Sequence, residues 1–202
     1  MVPPASFLTD PPSSPAVTAA YDDDVASDGY VNNLTRVWCW RPDIQTSFQT
    51  LRGDLLATST LSPREVAVMV AATAAARGDS YCALAWGIRL AGLSNETTAG
   101  QVLRGQATEL SNREAALERW SRQVVLDPNA TTEADVDRLR GAGLSEREIF
   151  EATAWIALRM AFSTVNDALG ARPDAQLAEN APRIIREAVA YGRPPGSPTP
   201  NG

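Results

Sequence analysis

Histidine is absent from the 202 residues and so is lysine, since all 18 basic residues are arginine. Without histidine there is no usual general base, no commonest transition-metal ligand, and no Ser–His or Cys–His nucleophile pair. Without lysine, Schiff-base catalysis and a phosphate-binding P-loop are excluded. Acid–base work must fall to Asp, Glu, Tyr, Cys or water. Cysteine is sparse: Cys39 and Cys82 stand alone in no metal-ligand spacing. A disulfide framework and a zinc site are therefore not expected, and a reducing, cytoplasmic setting fits best; no metal or cofactor is expected.

A net charge of −6 with no basic stripe repels phosphate backbones, which argues against a nucleic-acid partner. The longest apolar run, Val66 to Ala76, is too short to span a bilayer, so no membrane partner is expected. The first basic residue is Arg36, which leaves no charged region for a signal peptide, and the glycosylation-like triplets at Asn33, Asn95 and Asn129 then read as chance. What the chain does have is 44% hydrophobic residues, enough for a core without staples.

Prolines crowd the first 15 residues and "GRPPGSPTPNG" closes the chain. Both ends, 1–18 and 192–202, are expected as extended tails around one domain at 19–191. Between them the pattern is helical, with no useful alternation for strands, and predicts an all-α bundle of about eight helices. Ile44, Phe48, Leu51 and Leu55 recur at helical spacing, which predicts a surface helix turning one stripe inward. "SPREVAVMVAATAAARG" has a Ser62 cap, Pro63 at the first helical position, Glu65 as capping-box partner, then apolar residues on all faces. That helix is expected at the centre, stopped by Gly78, with a second helix from Asp79 stopped by Gly92. The same start grammar recurs at Ser111, Thr132 and Ser145, and "LSPRE" from Leu61 is echoed by "LSERE" from Leu144.

The stretch "RGDSYCALAWG" holds the chemistry worth weighing. Cys82 lies in the first turn of its predicted helix, where the dipole favours thiolate by roughly 0.3–1 kcal/mol. Asp79 is a preferred N-cap that aims its carboxylate at the N–H of Tyr81 or Cys82 and disfavours a second negative charge. The two effects are similar in size, so the thiol is expected near or above its reference of about 8.5. Trp86 is one turn beyond Cys82 and can donate but not accept a proton. Arg159, set inside an apolar helix, is a candidate pocket or subunit-interface charge. Cys39 reads as a core cysteine.

These stretches, with "YDDDVASDGYVNNLTRVW" from Tyr21 and the segment from Val136 to Asp174, resemble the alkylhydroperoxidase D-like branch of the carboxymuconolactone decarboxylase family, in particular its peroxidase-related members. The resemblance implies an all-α AhpD-like bundle assembled as a trimer or hexamer. Its better-studied members reduce peroxides with a C-x-x-C pair, a histidine four residues on and a glutamate on the preceding helix. By position the attacking cysteine is Cys82, while Asp79 takes the resolving place, Trp86 the histidine place and Ala67 the glutamate place.

Three readings follow. One is a peroxidase-like oxidoreductase that uses Cys82 with an external thiol reductant. Another is a non-redox decarboxylase-type enzyme acting on a small oxygenated metabolite through Asp79. The third is a binding or structural member without catalysis. Asp79 and Cys82 are the candidate catalytic residues, and Tyr81, Trp86 and Arg159 the candidate binding residues.

Overall fold

The computed structural model describes residues 4–196. Among them are eleven α-helices and no strand: α1 (Pro15–Asp28), α2 (Asn33–Trp38), α3 (Pro42–Ala57), α4 (Pro63–Arg77), α5 (Ser80–Leu93), α6 (Glu96–Arg104), α7 (Asn112–Leu126), α8 (Glu133–Gly141), α9 (Glu146–Ala168), α10 (Ala175–Asn180) and α11 (Arg183–Ala188). Eight of these have nine residues or more, in keeping with the number read from the pattern. No helix among the described residues is long and apolar enough to cross a membrane.

Helix α4 is the axis of the bundle, and every residue from Ala67 to Ala74 is at most 1% exposed. Its mixed small and branched side chains let α5, α6, α7 and α9 pack around it on all sides. Two apolar clusters result. One joins α4 and α5 to α6 and α11 through Leu84, Leu90, Val102 and Ile185. The other joins α4 to α7 and α9 through Met69, Leu117, Trp120 and Ile156. Trp86 packs against both.

The helix entrances are the ones the sequence marks. Ser62, Ser111 and Ser145 form capping boxes with Glu65, Glu114 and Glu148, and Thr132 forms one with Asp135. Gly78 ends α4 with φ +73°, a left-handed value that glycine adopts without a Cβ clash, so α5 can start at once from Asp79. Helix α5 then runs through Gly92 to Leu93, with Ser94 as its C-cap, which moves the expected stop. Farther along, a Cβ at Gly87 would lie 2.8 Å from Ile185 Cγ2 and 2.9 Å from Leu103 Cδ1; glycine is what lets α5 approach α6 and α11 so closely.

Two expectations change. The stripe on α3 does not turn inward as a whole: no residue of α3 is buried, Ile44 and Leu51 are 47% and 53% exposed, and of the four stripe residues only Phe48 and Leu55 are half-covered. The prolines near the start do not leave the chain free to residue 18 either. Phe7 N–H donates to Leu169 C=O at 2.8 Å, Arg172 N–H donates to Ala5 C=O at 3.0 Å, and α1 begins at Pro15 with Ser14 as its cap. At the other end Gly196 N–H donates to Pro173 C=O at 2.8 Å, while the remainder of the expected tail, 197–202, and residues 1–3 lie outside the described residues.

Candidate functional site

The corner at Gly78 fixes where the sulfur sits. Asp79 caps α5, and its Oδ1 accepts from the Cys82 backbone N–H at 2.9 Å. Its Oδ2 accepts from the Ser163 hydroxyl on α9 at 2.5 Å. With both oxygens engaged and the residue fully buried, Asp79 is anchored between two helices. Arg159, one turn before Ser163 on α9, donates from Nη2 to Cys82 Sγ at 3.0 Å, and Ser163 Oγ lies 3.9 Å from the same sulfur. Three of the five candidate residues thus meet in one cluster.

Burial decides the resting state of the thiol. Cys82 is 3% exposed, and loss of water pushes its pKa up to about 12. Arg159 opposes that rise by favouring the thiolate, while Asp79 adds to it. At pH 7 Cys82 therefore rests as the thiol, against what the helix dipole alone would suggest.

The other sulfur takes no part. Cys39 is buried at the end of α2, and its Sγ donates to Gln45 Oε1 at 3.4 Å; both cysteines are free thiols with different partners. Among the described residues no cluster of three or more acids and cysteines is arranged to hold a metal ion.

A cavity of about 300 Å³ lies beside the cluster, lined by the chain neighbours Tyr81 and Phe162 and not by Asp79, Cys82, Arg159 or Ser163 themselves. Tyr81 and Ala85, which flank Cys82 on α5, form one wall, with Trp38, Phe48, Arg52 and Phe162 across from them and Asp24, Asp28 and Tyr30 completing the lining. Trp38, Phe48 and Phe162 stack on one another with ring centroids 5.1 to 6.0 Å apart. Tyr81 is anchored from behind, its hydroxyl donating to Asp174 Oδ2, and burial raises the Asp174 carboxyl to about 6. Trp86 does not line the cavity; it stands beneath Arg159, whose guanidinium carbon is 5.5 Å from its ring centroid.

Arg52, Phe162, Ser163 and Asn166 were not singled out from the sequence. Two of them carry a readable signal: Arg52 is four residues after Phe48 on the α3 stripe, and Ser163 is four after Arg159. The contribution of Trp38 and Phe48 depends on how α2 and α3 fold back, which local patterning does not encode.

No protein-family model matches the sequence, and no curated protein does. Solved structures do match. The alkylhydroperoxidase AhpD core of a peroxidase-related protein from Ralstonia eutropha JMP134 superposes with a TM-score of 0.75 at 22% identity, covering 86% of this chain and 95% of that one. A peroxidase-related protein from Silicibacter sp. TM1040 gives 0.78 at 19% identity over 87% and 95%. The debrominase Bmp8, in a Cys-to-Ala variant bound to 2,3,4-tribromopyrrole, gives 0.71 at 17% identity over 91% and 99%. At such identities the likeness establishes the fold: this chain has the AhpD-like fold.

Proposed function

We propose that this AhpD-fold protein is a one-cysteine oxidoreductase of small organic molecules, with Cys82 as its reacting atom and no dithiol cycle. The observation that carries the reading is the 3.0 Å contact of Arg159 Nη2 with Cys82 Sγ beside an aromatic cavity, in a chain whose other thiol has different partners. With a hydroperoxide, the Cys82 sulfur attacks the outer oxygen, an S–O bond forms and the O–O bond breaks. Sulfur gives up two electrons, and the thiol proton passes to the departing alkoxide to give the alcohol. An external thiol then condenses with the sulfenic acid, releasing water; a second external thiol frees the resulting disulfide and restores Cys82. A reducing cytoplasm would supply that thiol.

Asp79 supports a decarboxylase-type role less well, because both of its oxygens are engaged within the protein. The thiol's burial favours a second reading, a binding member without catalysis. A homo-oligomer, implied by the resemblance, is supported by the half-exposed Ile44 and Leu51 on α3.

One experiment separates these readings. Cumene hydroperoxide consumption with dithiothreitol is followed for wild type, Cys82→Ser and Cys39→Ser. The oxidoreductase reading expects Cys82→Ser to lose about tenfold or more and Cys39→Ser to stay within about twofold of wild type. Below a thiol pKa of about 12, the rate of the first step should rise about tenfold per pH unit. Equal rates for wild type and Cys82→Ser would leave the binding reading, and a Cys39–Cys82 disulfide would overturn the one-cysteine cycle.

A further inference from the structure

Nine of the arginines in the described residues lie within salt-bridge distance of a carboxylate, but Arg52 and Arg159 do not. Both have withdrawn from water, Arg159 to 4% exposure and Arg52 to half-burial. They meet over one ring: the guanidinium carbon of Arg159 is 5.0 Å, and that of Arg52 5.4 Å, from the Phe162 centroid. Two like charges so placed repel each other, and burial together with that repulsion pulls Arg52 down to about 10. A buried cation without a counter-charge is costly, and no carboxylate among the described residues pairs with these two.

The surrounding hydrogen-bonding groups point the same way. Along α9, Trp155, Arg159, Phe162 and Asn166 are spaced four, three and four, which puts them on one face. The donors Trp155 Nε1, Arg159 Nε and Asn166 Nδ2 on that face are buried and unpartnered, and so is Arg52 Nε opposite them. Asn166 is oriented by Trp38, whose Nε1–H donates to its Oδ1 at 2.8 Å, so the amide end left over is a donor. Of these residues Arg52 and Phe162 line the cavity itself, while Trp155, Arg159 and Asn166 stand behind that wall; a pocket with one half-buried cation beside stacked aromatic rings suits a flat anionic molecule.

We infer that the cavity is a binding pocket for a small planar organic monoanion of the arene carboxylate type, its charge held by Arg52 with Arg159 behind it and its ring against Phe48 and Phe162. The volume, at the lower end for ligand cavities, suits a single ring. Asp24 and Asp28, which accept from the backbone and side chain of Asn32, line the same cavity from another element and disfavour a second negative charge on the ligand. The inference rests on the proposed function only in naming the class of molecule that would be presented to Cys82; the binding itself does not need the thiol.

Benzoate and its neutral isostere benzamide are the probes, titrated against the full chain by calorimetry and tryptophan fluorescence. Benzoate should bind at least about tenfold more tightly than benzamide, equally in wild type and Cys82→Ser. Arg52→Met should lose that preference while keeping benzamide binding, and Arg52→Lys should keep most of it. Ligand-free Arg52→Met should also melt at the same or a higher temperature than wild type, the reverse of what a structural ion pair would give. Equal affinity for the two probes, no binding of either, or undiminished benzoate preference in Arg52→Met would overturn the inference. Loss of peroxide chemistry with benzoate binding intact would overturn the proposed function alone.

Discussion

The two ends of the α4–α9 pair are built from the same residue types to opposite effect. At the capping end, Arg113 bridges two capping-box glutamates, with Nε 2.7 Å from Glu65 and Nη2 2.8 Å from Glu148, while Arg64 lies 2.7 Å from Glu114. The echoed "LSPRE" and "LSERE" segments are thereby tied together, each glutamate closing its own helix start and taking a share of one guanidinium. At the sulfur end, Arg159 and Arg52 face rings and a thiol, and the nearby Asp79 is engaged by a hydroxyl and a backbone N–H. Charges that satisfy one another stabilise a fold; charges left over inside it await a ligand.

The largest effect should come from breaking the closed end. Arg113→Met leaves Glu65 and Glu148, both buried, without their shared cation, and should cost about 2–3 kcal/mol in urea unfolding, somewhat less than a fully buried pair because Arg113 is partly exposed. Burial raises the Glu65 carboxyl, but the hydrogen bond from Arg113 and those from Ser62 prevail and hold it below the ordinary range. A group lowered in this way stabilises the fold above its unfolded pKa and loses that contribution as pH falls, so the difference between Arg113→Met and wild type should shrink towards pH 3. A loss below about 0.5 kcal/mol would place Arg113 among ordinary surface arginines and erase the contrast.

At the open end the same change should do little harm to stability. Arg159→Met removes a buried cation with no carboxylate partner, so its unfolding free energy should fall by less than about 1 kcal/mol or rise. Its effect should appear in the sulfur instead. Arg159 favours the thiolate of Cys82, so removing it should slow alkylation by iodoacetamide severalfold at pH 9–10, whereas Cys39, which does not contact it, should react as before. A destabilisation as large as that of Arg113→Met would make the two ends equivalent.

This contrast also explains what the sequence could reveal. The capping end was legible because a capping box is a local pattern: Ser62 and Glu65 lie three residues apart, and the hydrogen bonds follow from helix geometry alone. Asp79 as cap and Cys82 as a first-turn residue were legible for the same reason. That Arg159 reaches Cys82 across 77 residues, or that Arg52 and Phe162 share a wall, depends on how α3 and α9 cross, and no periodicity carries that information. The stripe on α3 misled in an instructive way. Its spacing gave the helix correctly, but spacing says that residues share a face, not that another element of the same chain covers it.

A local effect, confined to one carboxyl, sharpens the comparison through pH. Asp167, near the end of α9, has no cation within salt-bridge distance among the described residues; burial, and then the charge of Asp79, raise its carboxyl to about 6, against the pull of Arg77 and Arg193. Being raised, it favours the folded state below its unfolded value near 4, and that contribution is lost as pH climbs through about 6. This is the reverse of Glu65. Asp167→Asn should therefore flatten the stability profile between pH 4 and 7 by about 1 kcal/mol, once solvent screening at a half-buried site is discounted, with its gain seen on the neutral side. Urea unfolding of the variant and wild type at pH 4.5 and pH 7 reads it directly. If the variant is less stable at pH 7, or if the two profiles run parallel, the carboxyl is already paid for by Arg77 and Arg193, and the sulfur end is less open than its unpaired charges indicate.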